Sequence, residues 1–157
     1  MVMKRKSPAK RSVGAGRKPI RFEDLTVKDI VNQRVQSARL DLSGEKVASL
    51  LVKAGGAVPV IDQSKQLLGV VSEHDVLLAL DKGHAWGART VRDLMSVNPY
   101  SVRPETSLPT LVHVLTESDL LSVPVVNDKN RLLGMVTRRD VVRAALRPAA
   151  KRRSSAG

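Results

Sequence analysis

The sequence predicts an α+β fold made of two copies of one β-α-β-β-α unit, packed as a pair about a pseudo-two-fold axis and flanked by basic tails. Two repeats predict it. The segment Ala57 to Leu80 returns 65 positions later as Ser122 to Ala145, with ten of 24 aligned positions identical and no gap. A shorter piece, Thr26-Val-Lys-Asp-Ile30, returns as Thr90-Val-Arg-Asp-Leu94 at an offset of 64. Such a repeat is one supersecondary unit copied, and two copies bury each other's apolar faces. Any pocket between them is expected in duplicate.

Each copy runs through the same elements. A short lead-in turn (26–31, 90–95) precedes an extended stretch near 38–42 or 100–102. A helix follows at about 44–54, where Val47, Leu50, Leu51 and Ala54 fall at helical spacing. Its counterpart at about 108–117 carries Leu108, Leu111, Val112 and Leu115 in the same way. Short apolar runs at 58–61 and 123–126 read as strands, and the polar runs 62–66 and 127–131 as hairpin turns. The return strands are 67–71 and 132–136, and a last helix starts at Ser72 or Thr137. Strand pairs with helices on one face make an α+β class.

Charge divides the chain further. Residues 1–21 hold eight Lys/Arg and residues 143–157 hold five, neither segment with an acid, while the body between them is nearly neutral. The net charge of +12 therefore belongs to the ends. This gives a basic tail over 1–21, a first repeat over 22–84, a second over 85–147 and a basic tail over 148–157. Both tails lack apolar periodicity and are expected to be disordered. With no cysteine there is no disulfide or thiolate chemistry. No apolar run is long enough to span a membrane, and no signal-peptide core is apparent, so a cytoplasmic protein without membrane contact is expected. His74, His84 and His113 lack metal-ligand spacing, and neither a P-loop nor a nucleophile elbow occurs. Catalysis is not expected.

The chemistry concentrates where strand becomes helix: Gly69-Val-Val-Ser72-Glu-His-Asp75, and again Gly134-Met-Val-Thr137-Arg-Arg-Asp140. Hydroxyl and carboxylate three apart fit a capping box, the structural reading. The same spacing suits a phosphate at the helix N-terminus, with the hydroxyl as an extra donor and the carboxylate left for ribose. Arg138 and Arg139 favour an anion in the second copy; Glu73 and His74 do not in the first. If one site is used, the second copy is expected to hold it.

Val-Pro-Val, a polar turn, Leu-Leu-Gly-x-Val-(Ser/Thr)-x-x-Asp-Val, occurring twice after a Thr-Val-x-Asp lead-in, resembles a tandem pair of cystathionine-β-synthase (CBS) domains, the Bateman module. The resemblance covers about residues 24–147. It implies two half-domains packed through their strands, often dimerised as homodimers of such pairs. It further implies a regulatory module binding AMP, ADP, ATP or S-adenosylmethionine in clefts between repeats, with no cofactor required. Carried over position by position, Thr137 and Ser72 match the phosphate-contacting hydroxyl and Asp140 and Asp75 the ribose carboxylate. The backbone at Val58-Pro59 and Val123-Pro124 matches the strand lining the base pocket.

Two readings of function follow. The chain is a sensor of an adenine nucleotide, signalling by conformational or oligomeric change, or it is a structural dimerisation module whose tails bind nucleic acid. Gly16-Arg17-Lys18-Pro19 resembles an AT-hook core, which enters the minor groove. Trp86, between the copies, is expected to anchor the linker onto the body or to offer a stacking surface.

Overall fold

A computed structural model describes residues 19–83 and 85–147; the basic tails beyond them and His84 lie outside the described residues. Helix α1 (Gly44–Ala54) leads to strands β1 (Ala57–Ile61) and β2 (Leu67–Ser72) and helix α2 (Glu73–Asp81). After a short helix α3 (Val91–Leu94) and strand β3 (Ser96–Val97), the pattern returns as α4 (Leu108–Glu117), β4 (Ser122–Val126), β5 (Leu132–Thr137) and α5 (Arg138–Ala145). Both long helices start where a serine satisfies a free amide: Ser43 Oγ accepts from Lys46 N and Ser107 Oγ from Thr110 N, each at 3.3 Å.

The hairpins are near-replicas. β1 pairs antiparallel with β2 and β4 with β5, and each pair slips register by a bulge at the equivalent place, Val60/Ile61 and Val125/Val126. The extended stretches expected at 38–42 and 100–102 shrink to one bridging residue each, Ala38 against Val60 and Val102 against Val125. The reason lies in where the neighbouring carbonyls are spent. Leu40 and Leu42 accept from Arg92 and Val91, and Pro104 and Thr106 accept from Lys28 and Val27, so both stretches bind a lead-in instead of extending a ladder.

Those lead-ins cross between copies. Val27 is fully buried in the core of the second copy with Leu108, Leu111, Val123 and Val136, flanked by Phe22, Leu25, Ile30 and Val31. Val91 and Leu94 are buried in the core of the first with Val47, Leu51, Val58 and Val71. Trp86 packs against that first core, so the linker is anchored as one of its two readings expected. The sheets follow the same exchange: β3 adds to β2, and Asn32 bridges to Met135 on β5. The unit of packing therefore differs from the unit of repetition.

This exchange explains the glycine before each strand-to-helix junction. A Cβ on Gly69 would stand 2.5 Å from the Ser96 carbonyl oxygen, and one on Gly134 would collide with the Asn32 carbonyl. Only glycine lets the crossing strand approach so closely. At the far end the hairpin turns join about the pseudo-two-fold: Leu67 N donates to Asn130 O at 3.0 Å and Leu132 N to Lys65 O at 2.9 Å.

Candidate functional site

Both strand-to-helix junctions form complete capping boxes. Thr137 Oγ1 accepts from Asp140 N at 3.1 Å, and Asp140 Oδ2 accepts from Thr137 N at 2.8 Å and from the Thr137 hydroxyl at 2.9 Å. Ser72 and Asp75 repeat this at 3.2, 2.7 and 2.9 Å. In each box one carboxylate oxygen, Oδ2, closes the cap and the other takes no part in it. In the first copy that second oxygen, Asp75 Oδ1, accepts from Ser96 Oγ at 3.3 Å. In the second, the partner of Asp140 Oδ1 among the described residues is Arg143 Nη1, at 3.7 Å. The pseudo-equivalent carboxylates thus differ in how far they are already engaged.

A cleft of about 430 Å³ opens at the second-copy junction, within the usual size range of a small-molecule site. Its walls come from both copies. Thr137, Arg139 and Asp140 form one side; Arg34 on the lead-in and Lys53 near the end of α1 line it from the first copy. Leu50, Ala57, Pro59 and Met135 give it an apolar lining. Three cationic side chains thus share the cleft with one carboxylate. The amide of Arg139, the second residue of α5, lies in a first turn where main-chain N–H groups have no intrahelical acceptor.

The expected residues are therefore partly gathered. Thr137, Asp140, Arg139 and Pro59 meet in this cleft. Ser72 and Asp75 do not line it; they cap α2 at the pseudo-equivalent junction. Val58, Val123 and Pro124 are buried in the strands, so of Val58 and Val123 only the main chain is left to face a ligand. Arg138 is not brought to the cleft. Its Nε donates to Leu120 O at 2.6 Å and its Nη2 to Asp119 Oδ1 at 2.9 Å and Leu115 O at 3.3 Å, so the guanidinium braces the end of α4.

Three contributors escaped the sequence reading. Arg34 and Lys53 lie in stretches without a motif; the crossing of the lead-in carries Arg34 to the cleft beside Thr137, and the last turn of α1 supplies Lys53. Ser122, at the start of β4, is the third. The residue lines the cleft, and its Oγ is buried without a hydrogen-bond partner, singular in this among the buried side-chain polar atoms of the described residues. Its register partner Thr137 was the available signal.

The CBS domain profile matches residues 27–82 and again 91–147. The chain belongs to the CBS-domain family. As a CBS pair it is similar to CBSX2 in a crystal structure with AMP, at 37% identity and a TM-score of 0.70, covering 78% of this chain and 96% of that one. It also resembles the CBS domain pair of protein MJ0100 in complex with 5′-methylthioadenosine and S-adenosyl-L-methionine, at 25% identity and a TM-score of 0.68, covering 75% and 93%. Among whole proteins, the chloroplastic CBSX2 of Arabidopsis thaliana is 31% identical over 159 residues. The L-aspartate semialdehyde sulfurtransferase of Methanocaldococcus jannaschii is 26% identical over 130. The alignments take in 82% of this chain in both cases, but 66% of the first relative and 25% of the second. No helix among the described residues is long and apolar enough to cross a membrane.

Proposed function

We propose that this CBS pair is a non-catalytic regulatory module that takes an adenine nucleotide in the cleft between its copies. One observation carries the reading: a helix N-terminus, Thr137, Arg139 and Asp140 of one copy face Arg34 and Lys53 of the other across a single cleft. The N-terminus of α5 and the three cations suit phosphate. Asp140 Oδ1, which the cap does not use, suits a ribose hydroxyl. The apolar strip from Leu50 to Pro59 suits the base, with Ser122 beside it.

The charge balance narrows the ligand. A site with three cations and one carboxylate favours AMP, ADP or ATP, and each added phosphate strengthens the attraction. S-adenosylmethionine brings a sulfonium charge into the same field and is disfavoured, although the MJ0100 pair holds it. The AMP complex of CBSX2 supports the nucleotide reading. Because both copies supply the walls, a ligand that fits one arrangement better than another shifts the pair toward it, which is what a signal requires.

Titration calorimetry of the full chain with AMP, ADP, ATP and S-adenosylmethionine tests the proposal. Saturable binding of the nucleotides, tightening with phosphate number and weakest for the sulfonium ligand, is expected. No heat with any of the four would overturn it.

A second reading rests on the 13 basic and no acidic residues in segments 1–21 and 143–157. There the body is a dimeriser and the tails bind nucleic acid through phosphates. Binding that falls steeply with salt and vanishes without the tails would favour it.

A further inference from the structure

A short stretch of chain runs along the cleft from one copy to the other. At one end Asn32 exchanges two main-chain hydrogen bonds with Met135 on β5. At the other, Ala38 N donates to Pro59 O at 2.9 Å and Ala38 O accepts from Ile61 N at 3.0 Å, which ties the stretch to β1. Between these anchors Arg34, Val35 and Gln36 line the cleft. Arg34 lies two residues from the anchor on β5, the strand that ends at Thr137, and Gln36 two residues from the anchor on β1. The order along the chain follows the order of a nucleotide, with phosphate by Thr137 and base by Pro59.

The hydrogen-bonding edge of adenine needs an acceptor and a donor side by side, because its 6-amino group donates and its N1 accepts. Most of the cleft cannot supply both. Arg34, Lys53 and Arg139 only donate, and an ionised Asp140 only accepts. Thr137 is committed to its cap, the Ser122 hydroxyl is buried, and Asn32 Oδ1 accepts from Arg34 N at 3.0 Å. Pro59 has no main-chain N–H, and its carbonyl already accepts from Ala38. Gln36 is exposed, and among the described residues its carboxamide has no hydrogen-bond partner. A carboxamide carries an acceptor and a donor together, which lets it pair with adenine at two points.

We infer that Gln36 reads the base of the bound nucleotide, its Oε1 accepting from the adenine 6-amino group and its Nε2 donating to N1. This deepens the nucleotide reading and rests on it. The phosphates are held by charge, which any nucleotide satisfies; Gln36 adds the contact that depends on which base is present.

Replacing the carboxamide by a carboxylate keeps the acceptor and removes the donor. An oxygen then stands against adenine N1, whereas the N1–H and 2-amino groups of guanine both donate to a carboxylate. Gln36→Glu should therefore lower the affinity for ADP relative to GDP about ten-fold or more, read by calorimetry on the full chain at fixed salt. Both ligands carry the same diphosphate, so the added negative charge cancels in the ratio. Gln36→Leu should weaken ADP about ten-fold and, at an exposed position, leave the urea midpoint where it was. If the parent chain binds ADP but Gln36→Glu leaves the ratio unchanged, or Gln36→Leu binds ADP as the parent does, the inference is overturned and the nucleotide reading stands. A parent chain that binds neither nucleotide overturns both.

Discussion

The amide of Asn32 donates to the carbonyl of Met135 at 3.0 Å, and the amide of Met135 donates back to the carbonyl of Asn32 at the same distance. This reciprocal pair fastens the lead-in of the first copy to the strand that ends at Thr137. Both residues line the cleft. The position of Arg34, two residues on, is thereby fixed by the strand of the opposite copy, and the site depends on the crossing of the lead-ins.

Gly134→Ala tests that dependence. Its methyl group would meet the Asn32 carbonyl, which is backbone and has little room to yield. Overpacking of this kind costs about 1–3 kcal/mol. Urea denaturation should show that loss, and nucleotide affinity should fall with it. Gly69→Ala, pressed against Ser96 O, should cost as much stability and leave nucleotide affinity in place.

The two caps separate structure from binding. Removing an N-cap hydroxyl costs about 1 kcal/mol. Thr137→Ala and Ser72→Ala should lose that stability alike, because their hydrogen bonds match. Only Thr137→Ala should also weaken nucleotide binding. Paired denaturation and calorimetry on both variants check this, and equal effects on binding would contradict the placement of the site.

Lys53 and Arg34 should act on phosphates. Charged hydrogen bonds contribute about 1.5–3 kcal/mol, so Lys53→Ala and Arg34→Ala should each lower ADP affinity about ten-fold or more. Adenosine, which lacks phosphate, should bind the variants as it binds the parent chain. The measurement is the ratio of the two affinities, read by calorimetry at fixed salt.

The hairpin turns give a pH prediction. Asp62 Oδ1 accepts from Ser64 N at 2.8 Å and Gln66 N at 3.0 Å; Asn127 Oδ1 does the same from Lys129 and Arg131. Desolvation acts to raise the Asp62 pKa, but the amides of Gln66 and Ser64, the Ser64 hydroxyl and the charge of Arg39 outweigh it and hold it below its ordinary value. A carboxylate depressed on folding stabilises the fold above its unfolded pKa and loses that contribution as pH falls through its folded value. The Ser64 and Gln66 amide resonances should therefore shift only below the ordinary carboxylate range. Those of Lys129 and Arg131 should not follow Asp62, and Asp62→Asn should abolish the response.

Much of this was legible in the sequence, for local reasons. Helix spacing in 44–54 and 108–117 gave both helices with their ends, because capping serines and burial agree there. The duplicated Ser/Thr-x-x-Asp gave both junctions, since a capping box is a contact between near neighbours. Thr26-Val27 and Thr90-Val91 repeat, but repetition cannot say on which copy each valine is buried. The exchange of lead-ins was accordingly hidden, and Arg34 with it. Arg138 stood beside Thr137 in sequence, yet the carbonyls of Leu115 and Leu120 and the Asp119 carboxylate, about twenty residues away, turn it aside.

The central claim is that the second-copy carboxylate holds the ligand and its first-copy twin does not. Calorimetric titration of ADP into full-length Asp140→Ala and Asp75→Ala, beside the parent chain, tests it most directly. Both variants lose a capping carboxylate, so any general loosening of the fold is common to the two. The account predicts that Asp140→Ala abolishes saturable binding and that Asp75→Ala binds as the parent does. Equal loss in both variants, or loss in Asp75→Ala alone, would contradict it.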